Sequence, residues 1–187
     1  MPTQEALEIY AQAVHLVNND VKDKQAQRDG AAMLLVALER AGDPFPEAEA
    51  ELAFAYFWLY DEYKSKMYAD RALKADPNSF KAQYVKTSWS QLSAKGFFGG
   101  QKFKSELDKL ITIFGNVCRL DRSAGSFLYR CRLLVVIADV AANQGVSASR
   151  VFLAIAATPI DHLEYESDEQ KMEVQRLRII AQGRSKV

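Results

Sequence analysis

Apolar residues recur at intervals of three and four along almost the whole chain, which is the spacing that places them on one face of an α-helix. The first stretch follows Thr3, a residue type that caps helix N-termini, and runs to Val17 before polar residues interrupt it. Eight further stretches have the same period, at about 31–41, 46–60, 62–75, 79–95, 102–115, 126–144, 147–157 and 167–183. The pattern therefore predicts about nine helices and no strand.

Glycine and proline mark where these helices are expected to end or begin. Gly42 closes the second stretch, Pro46 opens the third, and Asp76–Pro77 ends the fourth. The glycine-rich run 96–100 predicts a flexible corner with exposed aromatic side chains. Because the links between stretches are short, consecutive helices are expected to pack as antiparallel hairpins.

Residues 46–79 carry a more specific pattern of large and small positions. Small residues let two helix backbones approach closely, and larger ones fill the space between them. The positions concerned are Leu52, Ala53, Tyr56, Ser65, Ala72 and the Asp76–Pro77 ending. On these positions the stretch resembles a tetratricopeptide repeat (TPR), a helix-turn-helix unit of about 34 residues. It departs from the family at Ala69, where a large aromatic residue is usual.

The resemblance implies an all-α fold in which antiparallel helical hairpins stack as a TPR-like right-handed superhelix, an α-solenoid. The repeats on either side of 46–79 are degenerate; upstream, Gly30, Leu34 and Ala37 keep a small-large-small spacing. We expect a single helical domain over 1–187. Within it, TPR-like hairpins cover 3–115, a C-terminal helical cap covers 116–183, and 184–187 form a loose tail.

The resemblance also implies a function, because TPR proteins bind other proteins along the inner wall of the superhelix. Carried over, the inner-wall positions fall on Glu47, Ala50, Phe54 and Phe57, and in the next unit on Lys81, Tyr84, Ser88 and Gln91. The chain is thus expected to be a non-catalytic interaction module, an adaptor, scaffold or complex-assembly factor. Its partner would be an extended segment or a helix with apolar anchors and one acidic residue. The candidate partner-binding residues are Phe54, Phe57, Lys81, Tyr84, Ser88 and Gln91.

Two alternatives to this groove remain open at the level of sequence. Aromatic residues at helical spacing also occur in protein cores, so Phe54 and Phe57 have a purely structural interpretation. Exposed aromatics, at Phe97 and Phe98 or along 56–60, would instead make the chain a homo-oligomerisation module. The family's clamp for acidic chaperone tails is disfavoured, because Ala50 and Phe54 occupy positions where it needs Lys and Asn.

Composition narrows the class of partner. Lys plus Arg and Asp plus Glu both number 24, so the formal net charge is zero, which argues against nucleic-acid binding. The longest apolar run, 133–142, contains Asp139 and is about half the length that a bilayer crossing requires. The N-terminus has no secretory pattern, so a cytoplasmic location is expected. Cys118 and Cys131 are expected to be reduced, packed thiols.

No pattern of catalytic, metal-binding or cofactor-binding residues stands out, so no cofactor is expected. His15 and His162 are far apart, with a partly buried structural role expected for His15 and a turn position for His162. An enzyme on a helical scaffold is the third and least favoured alternative. Four arginines surround one predicted turn, and ion pairing is preferred over anion binding because the chain is neutral. These are Arg119, Arg122, Arg130 and Arg132.

Overall fold

The chain folds into α-helices, as its apolar period predicts. The computed structural model describes residues 1–93, 96–143 and 148–185, excepting the side chains of 96–99 and 143. The helices are α1 (Gln4–Asn19), α2 (Lys24–Ala41), α3 (Pro46–Trp58), α4 (Glu62–Ala75), α5 (Phe80–Leu92), α6 (Gly96–Leu120), α7 (Ala124–Asn143), α8 (Ser149–Ala157) and α9 (Asp168–Arg184). Those residues form no strand, although one isolated β-bridge joins Ser123 to Glu164. The prediction of an all-α fold is confirmed.

The chain divides into two compact units, Met1–Trp89 and Ser90–Val187. The boundary between them falls within α5. Each unit has buried apolar residues of its own. The expectation of one domain with hairpins over 3–115 and a cap over 116–183 stays a prediction.

The first unit is built from helical hairpins. α1 packs against α2, α3 packs against α4, and α2 also packs against α3. α1 and α2 approach closely at Gly30, where an added Cβ would lie 2.6 Å from Val17 Cγ2. Between α3 and α4, the Ser65 hydroxyl donates a hydrogen bond to the Ala53 carbonyl oxygen at 2.8 Å. Leu52, Ala53, Ser65 and Ala72 are all buried.

The turn between α3 and α4 contains a backbone conformation that is rare for a bulky residue. Tyr60 has φ 60°, in the left-handed region. Its side chain is exposed, and the Lys24 ammonium lies 4.2 Å from the centre of its ring. The same ammonium donates a hydrogen bond to the Trp58 carbonyl oxygen, so α2 holds the end of α3 in place.

α6 differs from the sequence prediction. The expected flexible corner at 96–100 is wrong: α6 begins at Gly96 and continues without a break through Gly115 to Leu120. Glycine within a helix costs about 1 kcal/mol relative to alanine. Burial of a continuous apolar face offsets this cost, because tertiary packing supplies most helical stability in proteins. That face consists of Phe103, Leu107, Leu110, Phe114 and Cys118.

The second unit places α7, α8 and α9 in contact, and α8 also contacts α6. Phe114 of α6 and Phe127 of α7 lie with ring centres 6.1 Å apart. Ser167 caps the N-terminus of α9, since its hydroxyl accepts a hydrogen bond from the Gln170 amide at 3.2 Å. α9 runs one residue past the predicted stop at Gly183. Positions 144 and 147, where the sequence predicts one helix to end and the next to begin, lie outside the described residues.

Both cysteines are buried free thiols, as expected. Burial raises the pKa of the Cys118 thiol to about 11, although the Arg130 guanidinium opposes the shift. Burial, and then the proximity of Cys118, raise the pKa of Cys131 as well. Because the thiolate is the reactive form, these shifts make both cysteines inert near neutral pH.

We predict opposite effects of alanine at two helical glycines. Gly115→Ala should raise the free energy of unfolding by about 0.5–1 kcal/mol, because the only atom near the new Cβ is Arg119 Nη2 at 4.0 Å. Gly30→Ala should lower it by about 1–2 kcal/mol, because Val17 is a stiff β-branched residue that cannot move away. Urea unfolding measures both. Equal stabilisation at the two positions would contradict the close approach of α1 and α2.

We also predict that Cys118→Ala reduces the loss of stability at alkaline pH. The folded thiol has a pKa of about 11 and the unfolded thiol one of about 9.0, so the folded state retains the proton longer. This contribution to stability is complete below about pH 9 and is lost as the pH rises to about 11. Across that pH range, the free energy of unfolding of the variant should rise by about 2–3 kcal/mol relative to that of wild type. Urea unfolding at each pH measures this difference. A constant difference between the two proteins would contradict the shift.

Candidate functional site

A polar cluster joins three helices of the first unit. The Lys81 ammonium of α5 lies 2.5 Å from Glu51 Oε1 of α3 and 3.0 Å from Asn18 Oδ1 of α1. Asn18 Nδ2 in turn donates to Glu51 Oε2 at 3.2 Å. The three side chains therefore form a closed triangle, which we call the Asn18–Glu51–Lys81 cluster. It brings the first, third and fifth helices together along one side of the unit.

The cluster encloses its charges almost completely. The side chains of Lys81 and Glu51 are 15% and 9% exposed. Burial lowers the pKa of Lys81, and the Glu51 carboxylate opposes this shift by attracting and hydrogen-bonding the ammonium. Burial also raises the pKa of the Tyr10 hydroxyl on α1, with the carboxylates of Glu51 and Glu47 adding to the effect. The carboxylate and the ammonium thus stabilise each other where neither is well hydrated.

The candidate aromatic residues gather beside this cluster. Lys81 Nζ lies 5.0 Å from the centre of the Phe54 ring, and the rings of Phe54 and Tyr84 are 6.1 Å apart. Phe54 and Tyr84 are both buried, whereas Phe57 is half-buried with its ring 5.3 Å from that of Trp89. Burial favours the structural interpretation for Phe54 and Tyr84. Of the six candidate residues, Phe57 and Lys81 are half-buried and the other four are buried, and the Lys81 ammonium is enclosed by the cluster.

The remaining two candidates are buried polar side chains. The Ser88 hydroxyl donates to the Tyr84 carbonyl oxygen at 2.9 Å, one turn earlier in α5. Gln91 is buried too, but it belongs to the second unit, beyond the boundary that follows Trp89. The role of all six residues in partner binding stays a prediction.

Sequence reasoning missed Asn18 and Glu51. The apolar pattern marks Asn18 only as part of a helix end, and it leaves Glu51 among the apolar residues of α3 without a role. A signal for Glu51 is present, because a carboxylate inside a helix that is apolar nearly all round requires a partner. The cation that pairs with Glu51 comes from another helix. Its identity depends on how three separate helices align, and the spacing along one helix does not encode this alignment.

The four arginines near the α6–α7 turn are held by groups of the second unit. Arg122, Arg130 and Arg132 pair with Glu164, Asp121 and Glu173. Arg119 donates to the Gly115 carbonyl oxygen and to Asn116 Oδ1. The expected ion pairing is confirmed for Arg122, Arg130 and Arg132, whereas Arg119 is hydrogen-bonded to neutral groups of its own helix.

The two histidines occupy unrelated places. His15 is exposed on α1, so the expectation that it is partly buried is wrong. His162 lies in the predicted turn before α9, with Nε2 2.8 Å from the Cys118 carbonyl oxygen. Among the described residues, no group of three or more His, Cys, Asp or Glu side chains is placed to hold a metal ion. Over the same residues, no helix combines the length and apolar character needed to cross a membrane.

An open cavity of about 300 Å³ lies between the N-terminal parts of α7 and α9. Its lining includes Arg132 and Glu173, which pair with each other at 2.6 Å. It also includes Gln170, whose side-chain oxygen accepts a hydrogen bond from the Glu166 amide. Arg132, Glu173 and Gln170 are therefore engaged by the unit itself. Glu169 also lines the cavity, but a single carboxylate does not make it a candidate site.

Comparison with protein-family models, curated proteins and solved structures found no match for this chain. The resemblance to a TPR therefore depends on the residues of 46–79 described above.

We predict strong coupling within the Glu51–Lys81 pair. Glu51→Leu and Lys81→Met should each lower the free energy of unfolding by about 3 kcal/mol, because each leaves one enclosed charge without its partner. The double variant should lose less than the sum of the two, because it buries neither charge. Urea unfolding of the four proteins measures the coupling.

The exposed pair Glu62–Lys66 on α4 provides a matched control. The same substitutions there should couple by less than about 1 kcal/mol, because solvent screens exposed pairs. Additive losses at Glu51 and Lys81 would show that the cluster is not an enclosed ion pair.

Proposed function

We propose that this protein is a non-catalytic protein–protein interaction module, an adaptor, scaffold or complex-assembly factor. It holds a partner segment along the side of the first unit formed by α1, α3 and α5. The proposed arrangement is that of stacked TPR-like hairpins, in which every second helix lines a common concave surface. We call this side the odd-helix face.

The observation that carries the proposal is the Asn18–Glu51–Lys81 cluster. Its side chains come from α1, α3 and α5, so these three helices are neighbours although α2 and α4 separate them in sequence. This is the layering expected of consecutive hairpins that stack with the same orientation. The buried small residues between α3 and α4 support the same register for 46–79.

The chemistry of the odd-helix face favours apolar anchors over charged ones. Lys81 is already neutralised by Glu51, so an acidic partner residue would have to displace an internal carboxylate. Tyr10, Val14 and Phe57 are half-buried and present apolar or aromatic surface. We therefore expect a partner segment, extended or helical, with apolar side chains, and the acidic residue expected from sequence is not required.

Site-specific photo-crosslinking in the native cells tests this proposal. A benzophenone amino acid replaces Glu47, which is exposed on α3, or Phe57 on the same helix. The control replaces Leu35, which is exposed on α2. We expect one protein to crosslink to positions 47 and 57 but not to position 35, with mass spectrometry mapping the crosslinks to a single segment of that protein. Equal crosslinking at all three positions would contradict a binding face on the odd helices.

Self-association through exposed aromatics is the alternative function. Tyr60 supports it, because its ring is exposed on a strained turn, whereas Tyr56 is half-buried and stacks on Tyr68 with ring centres 5.8 Å apart. The side chains of Phe97 and Phe98 lie outside the described residues. Crosslinks from position 60 to a second copy of the chain, with none from position 47, would favour this alternative.

A further inference from the structure

The outward side of α9 carries large apolar side chains. Val174 and Ala181 are buried and lie seven residues apart on one side of the helix. Met172 and Ile179, also seven residues apart, lie on the opposite side and are 61% and 69% exposed. Two of the largest apolar side chains of α9 therefore point away from the unit that the helix packs on.

The charges of α9 divide in the same way. Glu173 and Arg184 face α7 and pair with Arg132 and Asp139. Glu169 and Arg176 are exposed, flank Met172, and have no ion-pair partner within the part of the chain that the structure describes. They are seven residues apart, about 10 Å along the helix, so they do not reach each other. Glu169 lies on the flank of this face that also borders the open cavity between α7 and α9.

We propose that this face of α9, centred on Met172, docks against the same face of a second copy in the antiparallel direction. A two-fold axis near Met172 brings Glu169 of each copy opposite Arg176 of the other, on the same flank of the contact. This symmetric arrangement forms two Glu169–Arg176 ion pairs between the copies. It also covers the Met172 side chain of each copy.

The contact is small, because one helix face per copy forms it. It therefore belongs with weak, reversible interfaces rather than obligate ones. In sedimentation equilibrium, the weight-average mass should rise from 21.0 kDa toward twice that value as the protein concentration increases from about 10 µM to about 1 mM. A mass that stays at 21.0 kDa across this range would overturn the proposal.

Charge reversal tests the antiparallel register directly. Arg176→Glu places two carboxylates opposite each other, and Glu169→Arg places two guanidinium groups opposite each other. Each single variant should remain monomeric at concentrations where wild type associates. An equimolar mixture of the two should associate again, because every opposing pair then has opposite charges, and so should the double variant Glu169→Arg/Arg176→Glu. Absence of recovery in both cases would overturn the register.

Two matched control variants separate this interface from association through another surface of the chain. Arg28→Glu reverses an exposed arginine in the first unit and should leave association unchanged. Tyr60→Asn removes the exposed ring while keeping a residue type that tolerates positive φ, and it should also leave association unchanged. Circular dichroism checks that each variant keeps its helical content. Loss of association in Tyr60→Asn would instead assign the self-association to the aromatic turn. None of these results bears on crosslinking of a partner to the odd-helix face.

Discussion

An ammonium group held away from water organises the first unit. In a nearly closed site, Glu51 and Asn18 supply oxygen atoms from two other helices to the Lys81 ammonium. Hydration of either charge alone is poor there, so the pair is stable only when α1, α3 and α5 are correctly aligned. A purely apolar contact tolerates small displacements, whereas this arrangement requires a particular register. The Asn18–Glu51–Lys81 cluster therefore contributes mainly by favouring one alignment of the three helices.

The positions of most helices could be predicted from the sequence, because amphipathic spacing and capping residues act locally. Ser167 with Gln170 at the start of α9 is one example, and Pro46 at the start of α3 is another. The failure at 96–100 has a physical cause. Glycine propensity is a local property, but α6 gains its stability from Phe103 and the apolar residues after it, which are buried by tertiary contacts that no local pattern shows.

The candidate site was harder to predict for a related reason. A groove wall and a protein core both require apolar residues at helical spacing, so the pattern that selects Phe54 and Tyr84 does not distinguish them. Three-dimensional burial does, because it places Phe54 and Tyr84 in the core and leaves Phe57 as the half-buried aromatic candidate. The spacing of charged residues on α9 is likewise uninformative. Only the structure shows that Glu173 pairs with Arg132, whereas Glu169 is exposed without an ion-pair partner among the described residues.

The direct hydrogen bond between Asn18 and Lys81 has a consequence for how the first unit unfolds. In arrays where each hairpin contacts only its immediate neighbours, terminal hairpins fray independently and cooperativity decays along the array. Here α1 is also bonded to α5, so releasing the N-terminal hairpin removes the Asn18 oxygen from the Lys81 ammonium and leaves Glu51 to hold it. Opening at the N-terminus therefore costs a contact to α5 in addition to the contacts of α1 with α3.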